Sequence, residues 1–336
     1  MDNFFTLFLP FAQVEVFIPA LFFIGFSVGL ISSFLGIGGA WMVTPGLNIL
    51  GFPMPYAIGT DIAHMAGKSI LATWQHSKLK HVDYKLGSIM IFGTIFGIEL
   101  GAKVVMFLEK NYAVDHIIRY VYLFLLFFLF IFIFLDVVKK KSSEKEKVNF
   151  SLLKKIQKLP LAPMMHFSVS GIYCSVWLPI IIGFFTGFIS GFLGIGGGLV
   201  RLPALIYLMG CPVIIAIGTD LFEVMISGFY GALTYSVKGR VDFIAMMIML
   251  TGAALGTRIG SRATLHVNDA RIKWLFLAAL FGCFFAVLFK QLDYTYISTI
   301  FIFSTVSILT FFILGIFVFK SWKIKAIRRK TNETSR

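Results

Sequence analysis

The sequence predicts an all-α polytopic membrane protein made of two inverted structural repeats, each with a glycine-broken re-entrant or discontinuous helix plus several transmembrane helices. Three observations predict it. Apolar residues fill 58% of 336 positions and charged residues only 14%, with 39 phenylalanines, more apolar surface than a soluble domain of this size can bury. Apolar runs of roughly 20 residues recur, such as Tyr120–Val138, Ile214–Ala232 and Ile297–Phe319, the length that crosses a ~30 Å hydrocarbon core as a helix. Finally, the first half of the chain recurs in the second.

Taken in order, the amino terminus MDNFFTLFLP lacks the basic n-region of a cleaved signal peptide and is expected to be retained. Strand signals are lacking. GFSVGLISSFLGIGGAWMVTP (Gly25–Pro45) overlays GFFTGFISGFLGIGGGLVRLP (Gly183–Pro203) at an offset of 158. After a slip of one, AIGTD at Ala57–Asp61 matches AIGTD at Ala216–Asp220, and Val82-Asp83 matches Val241-Asp242. Gly93, Gly97 and Gly101 then match Gly252, Gly256 and Gly260, a GxxxGxxxG spacing that lets two helix backbones approach closely. Spans are predicted over 56–77, 84–107, 117–138, 213–237, 242–263, 271–289 and 296–319, leaving the second half one helix longer.

Eight lysines crowd the segment between the halves and six basic residues follow from Lys320 to Lys330. Short basic segments beside spans stay cytoplasmic, so the +14 net charge reads as topology and not as nucleic-acid binding. The expected organisation is a first transmembrane repeat over 1–138, a basic cytoplasmic linker and approach to the membrane over 139–171, a second repeat over 172–319, and a basic cytoplasmic tail over 320–336. Counting spans back from that tail puts the two halves in opposite orientations, the arrangement that suits alternating access. Cys174, Cys211 and Cys283 form no CxxC pair and read as small apolar fillers.

The glycines raise the functional question. Each Gly replacing Ala costs a helix roughly 1 kcal/mol, and Gly36, Gly38 and Gly39 fall within one turn, as do Gly194, Gly196, Gly197 and Gly198. The helix should break at both places, with the freed backbone facing protein or a cavity. The short apolar stretches that follow read as half-helices whose amino ends favour an anion, with Ser32, Ser33 and Ser190 one turn before the break as hydroxyl donors. Glycine for tight packing alone is the simpler alternative.

A second constellation follows the prolines. With Pro55 in a first helical turn, Asp61, His64 and Lys68 share one face at i, i+3 and i+7, and Asp220, Glu223 and Ser227 repeat the spacing. Lys68 lies 13 residues past Pro55, roughly 20 Å along the helix and deep in the bilayer. Intramembrane ionisable groups are costly and mark functional candidates, although a structural ion-pair stripe is the competing reading. His64 suits proton carriage by its intrinsic range, or a structural hydrogen bond. Glu99 with Lys103, and Arg258 with Arg262, read as snorkelling pairs. Arg201, whose counterpart is Val43, either lends a cation to the half-helix mouth or anchors at the interface.

The paired FLGIGG segments each followed by a proline, AIGT at a helix start, and a VD turn leading into a GxxxGxxxG helix resemble the TauE/SafE family of membrane permeases over nearly the whole chain. The resemblance implies movement of sulfur-containing anions such as sulfite, thiosulfate or organosulfonates without ATP hydrolysis, through a two-repeat fold with glycine-rich hairpins at the substrate site. One departure is that both repeats carry Asp after GT, where the family often has a small hydroxyl or amide.

The expected function is therefore a secondary permease in the cytoplasmic membrane, with proton coupling, and not an enzyme. Substrate binding is assigned to Ser32, Ser33, Gly36, Gly38, Gly39, Thr60, Lys68, Ser190, Gly194, Gly196, Gly197, Gly198, Arg201 and Thr219, and proton coupling to Asp61, His64, Asp220 and Glu223. The partners expected are a small anionic substrate and the lipid bilayer, with no nucleic acid, no cofactor and no metal; a homo-oligomer is left open. The alternatives are a cation or metal permease using the Asp/Glu/His stripe, and an intramembrane enzyme, disfavoured because no HExxH is present.

Overall fold

The computed structural model describes residues 5–35, 40–110, 114–140, 162–264 and 269–334. The first repeat opens with a two-stranded antiparallel hairpin, β1 (Thr6–Leu9) and β2 (Val14–Phe17), followed by α1 (Ile18–Leu35), α2 (Ala40–Ile49), α3 (Met54–Lys78), α4 (Tyr84–Lys110) and α5 (Val114–Lys140). The second repeats the order: β3 (Met164–Phe167), β4 (Ile172–Ser175), α6 (Trp177–Leu193), α7 (Gly198–Pro203), α8 (Val213–Val237), α9 (Phe243–Thr264) and α10 (Asp269–Gln291). One further helix, α11 (Thr295–Thr334), closes the chain.

The hairpins correct the reading that strand signals are lacking. Four-residue strands such as TLFL and VEVF are too short and too apolar to display alternation. Six helices among the described residues are long and apolar enough to cross a membrane: α4, α5, α8, α9, α10 and α11. The 25-residue α3 matches them in length but carries Asp61, His64 and Lys68 buried along it.

Local chemistry sets the boundaries. Pro53 and Pro212 are the N-caps of α3 and α8, where a missing N–H is harmless and φ is already suitable. Asp83 and Asp242 cap α4 and α9, each accepting from the backbone N–H three residues on, Leu86 and Ala245, at 3.0 Å. Pro203 ends α7 and the chain widens into a π-turn over Ala204–Leu208.

The repeats interlock through reciprocal contacts. The Thr60 hydroxyl accepts from the backbone N–H of Asp242 at 3.0 Å, and the Thr219 hydroxyl accepts from that of Asp83 at 3.0 Å. Ala12, at the tip of the first hairpin, donates to the Asp242 carboxylate at 3.5 Å; Ser170, at the tip of the second, donates to that of Asp83 from its N–H and hydroxyl at 3.1 and 2.8 Å.

The glycine helices obey the same rule. A Cβ at Gly93, Gly97 or Gly101 of α4 would strike the backbone of α6, and one at Gly252, Gly256 or Gly260 of α9 would meet α1. Both are parallel pairs, since residue numbers rise together along each contact. The equivalent helices α3 and α8 instead cross antiparallel: Gly59 lies against Tyr235 and Arg240, Ile62 against Gly231, and Ala66 against Gly228, while Gly218 lies against His76 and His81. Outward faces such as Phe92, Phe96, Phe124 and Phe311 are exposed, as lipid-facing side chains require.

Candidate functional site

The second glycine segment is broken. α6 ends at Leu193, and Gly194, Gly196 and Gly197 take φ of 78°, 66° and 71°, left-handed values that a side chain adopts only with strain. The first-copy glycines Gly36, Gly38 and Gly39 lie outside the described residues, between the end of α1 at Leu35 and the start of α2 at Ala40. The break packs against the other repeat: a Cβ at Gly194 would fall 2.7 Å from the Thr44 hydroxyl and one at Gly196 2.5 Å from the Met65 sulfur. Two hydroxyls serve carbonyls freed there or just before it, Tyr122 donating to Leu193 at 3.0 Å and Tyr235 to Gly191.

Around this break stand six ionisable side chains, Asp61, His64 and Lys68 from α3, Arg201 from α7, and Asp220 and Glu223 from α8. None is more than 5% exposed. They form two clusters.

In the first, Asp61 accepts from the Thr44 hydroxyl at 2.9 Å and its other oxygen lies 3.6 Å from His64 Nδ1, while Lys68 donates to the Ser32 hydroxyl at 3.3 Å. Neither ring nitrogen of His64 has a hydrogen bond among the described residues. Ser33 turns back on α1, donating to the Gly29 carbonyl at 2.8 Å.

In the second, Arg201 Nη1 pairs with Asp220 Oδ1 at 3.1 Å and with Glu223 Oε2, and its Nε donates to the Thr186 hydroxyl at 3.2 Å. Full burial excludes the interfacial-anchor reading of Arg201. Ser227, one turn along α8, donates to Glu223 at 3.2 Å. Asp220 Oδ2 sits beside Gly198, the first residue of α7, where a Cβ would lie 2.7 Å away. The amino end of that short helix therefore already faces a carboxylate.

Of the residues named from sequence, Ser32, Lys68, Asp61, His64, Gly194, Gly196, Gly197, Gly198, Arg201, Asp220 and Glu223 meet in this buried region. Ser190 is buried on α6 one turn before the break and gives its carbonyl to the Gly194 N–H. Thr60 and Thr219 face the opposite repeat's capping turns. Sequence reading missed Thr44, Thr186, Tyr122 and Tyr235. Thr44 and Thr186 have apolar counterparts, Leu202 and Val28, so the duplication hides them. Tyr122 stands in a phenylalanine-rich helix, where one hydroxyl has no periodic signal.

Glu99 pairs with Lys103 at 3.6 Å and Arg258 is exposed, in keeping with side chains that reach toward water. At the end of α8, Arg240 makes a bidentate pair with Glu109 of α4 at 3.0 and 2.9 Å and donates to the Tyr56 hydroxyl of α3 at 2.9 Å. The counterparts of Arg240, Tyr56 and Glu109, by the offset of 159, are His81, Ile215 and Asn268. Among the described residues no group of three His, Cys, Asp or Glu is placed to hold a metal ion.

A family model described as sulfite exporter TauE/SafE matches residues 21–289. A probable membrane transporter protein of Bacillus subtilis, YunE, is 25% identical over 271 residues, covering 77% of this chain and 94% of its own. Another of Methanocaldococcus jannaschii, MJ0441, is 25% identical over 286 residues, covering 79% and 92%. A third, of Xylella fastidiosa, is 43% identical over 81 residues, covering 23% and 31%. No solved structure matches.

Proposed function

We propose that this chain, which belongs to the sulfite exporter TauE/SafE family and is a multi-pass membrane transporter rather than an enzyme, moves a small sulfur-containing anion such as sulfite, thiosulfate or an organosulfonate across the cytoplasmic membrane by proton-coupled alternating access. The observation that carries the reading is the crossing of α3 and α8, where Lys68 and Arg201 lie buried among three carboxylates beside a helix break. Ionisable groups at that depth are costly unless a cavity, partner or substrate requires them.

The inverted arrangement is part of the proposal. Equivalent helices related by an axis along the membrane normal would run parallel; α3 and α8 run antiparallel, which supports an axis in the membrane plane. Two equivalent packings then open toward opposite faces around one site. The burial of all six ionisable groups corresponds to an occluded form between them.

Arg201 and Lys68 provide the cations for an oxyanion, with the glycine backbone and the Ser32 and Ser190 hydroxyls in reach of the same region. Gly36, Gly38, Gly39, Ser33, Thr60 and Thr219 complete the proposed substrate set, the two threonines by holding the repeats in register. Asp61, His64, Asp220 and Glu223 are the proposed proton carriers. The basic linker and tail are assigned to the cytoplasm.

The test is flux into proteoliposomes under imposed pH and voltage gradients, comparing sulfite, thiosulfate and organosulfonates with divalent cations. Saturable anion flux that responds to the pH gradient at clamped voltage is expected. Saturable cation flux without anion flux would overturn the substrate class in favour of a cation permease.

A further inference from the structure

We propose that Glu223 is the carboxylate that the substrate anion displaces from Arg201, and that the proton entering with the anion is carried on Glu223. The inference deepens the transport reading above and rests on it.

The guanidinium of Arg201 is divided in its contacts. Nη1 serves both acids and Nε serves Thr186, whereas Nη2 is buried with no hydrogen-bond partner among the described residues. Nη2 points at the helix break, since a Cβ on Gly197 would fall 2.5 Å from it. The missing Cβ at Gly197 is what lets Nη2 lie this close to the backbone of the break. An oxyanion entering from the break can take Nη2 and Nη1 together, the two-point geometry that guanidinium offers, if one carboxylate releases Nη1.

Glu223 is the acid suited to leave. Asp220 pairs with Arg201 through Oδ1, and its Oδ2 lies beside Gly198 at the start of α7. Glu223 has one more methylene, and its Oε1 has no hydrogen-bond partner among the described residues, although Thr94 of α4 lies within reach of the carboxylate. Ser227 on the same helix keeps hold of the group once it turns away.

Charge then ties the two events together. Three buried carboxylates face two buried cations, so one acid is already in excess before any substrate arrives. A monoanion would add a second uncompensated charge in a closed, dry site, and displaced Glu223 would be a carboxylate stripped of its cation. One proton on the displaced Glu223 offsets the charge the anion adds and returns the site to its starting balance, leaving a neutral carboxyl hydrogen-bonded to Ser227 while the anion takes the guanidinium. Of the ionisable groups on elements packed against α8, those buried with Glu223 are Asp61, His64 and Lys68 on α3 and Arg201 on α7; Asp220 shares α8 itself, and Glu99 on α4 accepts from Tyr230 of α8. Only Arg201 forms an ion pair with Glu223 among the described residues.

The experiment uses the full chain in proteoliposomes with thiosulfate and methanesulfonate, whose charges do not change near neutral pH. With voltage clamped at zero, the wild-type protein is expected to accumulate methanesulfonate about tenfold per unit of imposed pH difference. Glu223→Gln is expected to keep a measurable downhill flux, lose that accumulation entirely, and become voltage-sensitive. Glu99→Gln, which removes an acid paired with Lys103 outside the site, is expected to retain the accumulation. Persistent pH-driven accumulation in Glu223→Gln, or an equal loss of it in Glu99→Gln, overturns the assignment and leaves the transport reading standing. Flux of neither anion through the wild-type protein defeats both. Should Glu223→Gln fail to fold, Glu223→Asp and proton counting decide: about one proton taken up per methanesulfonate bound, in wild type and Glu223→Asp alike, supports the carrier, and none overturns it.

Discussion

Lys68 and Arg201 are both buried cations, but they are held differently, and removing each should have a different effect. Lys68 donates to Ser32 with Asp61 two turns away, so Lys68→Met, which keeps the stem and deletes the charge, should leave the protein folded and abolish anion flux. If Lys68 only balances Asp61, the double change Lys68→Met with Asp61→Asn will recover flux; continued inactivity of that folded double variant supports direct contact with substrate. Arg201→Met leaves two carboxylates without a cation, a loss of about 3–5 kcal/mol, and is expected to fail in folding before it fails in transport. The depth of Lys68 was legible from counting residues along one helix. The partners of Arg201 were not, because three helices converge on it and its own counterpart is a valine. Spacing along a chain cannot reveal a contact made between α7 and α8 around a turn of unknown path.

The glycine-rich helices show which part of an element a sequence encodes. GxxxGxxxG announced close packing but not its partner, which for α4 is α6 and for α9 is α1, each in the other repeat. Gly97 has the Phe184 carbonyl and the Phe188 and Gly187 backbone where a Cβ would go, and backbone cannot step aside. Gly97→Ala should therefore destabilise the detergent-solubilised protein by about 1–3 kcal/mol, seen as a lowered thermal midpoint. Gly46, in α2, has nothing within 4 Å of its missing Cβ, so Gly46→Ala should be neutral or stabilising by up to about 1 kcal/mol. Equal midpoints for the two variants would refute the packing account. The hairpins were invisible to periodicity for a related reason: their tips are tied to Asp83 and Asp242, more than 70 residues away in one case and more than 200 in the other. The second break was visible because glycines concentrate there, and the structure adds the left-handed φ values that make glycine necessary.

For the molecule as a whole, duplication was legible in the chain, and the exchange of contacts between halves was not. Every reciprocal pair described above is nearly symmetric except one. Arg240, Glu109 and Tyr56 clamp one end of the α3–α8 crossing, and the matching positions at the other end read His81, Ile215 and Asn268, which cannot form a charged clamp of that kind. A two-state machine with identical halves would spend equal time facing each side when empty. A bidentate pair with a phenol in support contributes about 1 kcal/mol, and 1.4 kcal/mol is a tenfold population ratio, so the clamp tilts that balance several-fold. On the proposed orientation, with the tail in the cytoplasm, α8 would end on the outer side, the clamp would hold that side shut, and the empty carrier would rest open to the cytoplasm. Cysteine accessibility measured from each side of oriented membranes should show this preference, and Glu109→Gln should erase most of it; an unchanged ratio would mean that the clamp has no part in setting which way the unloaded protein faces.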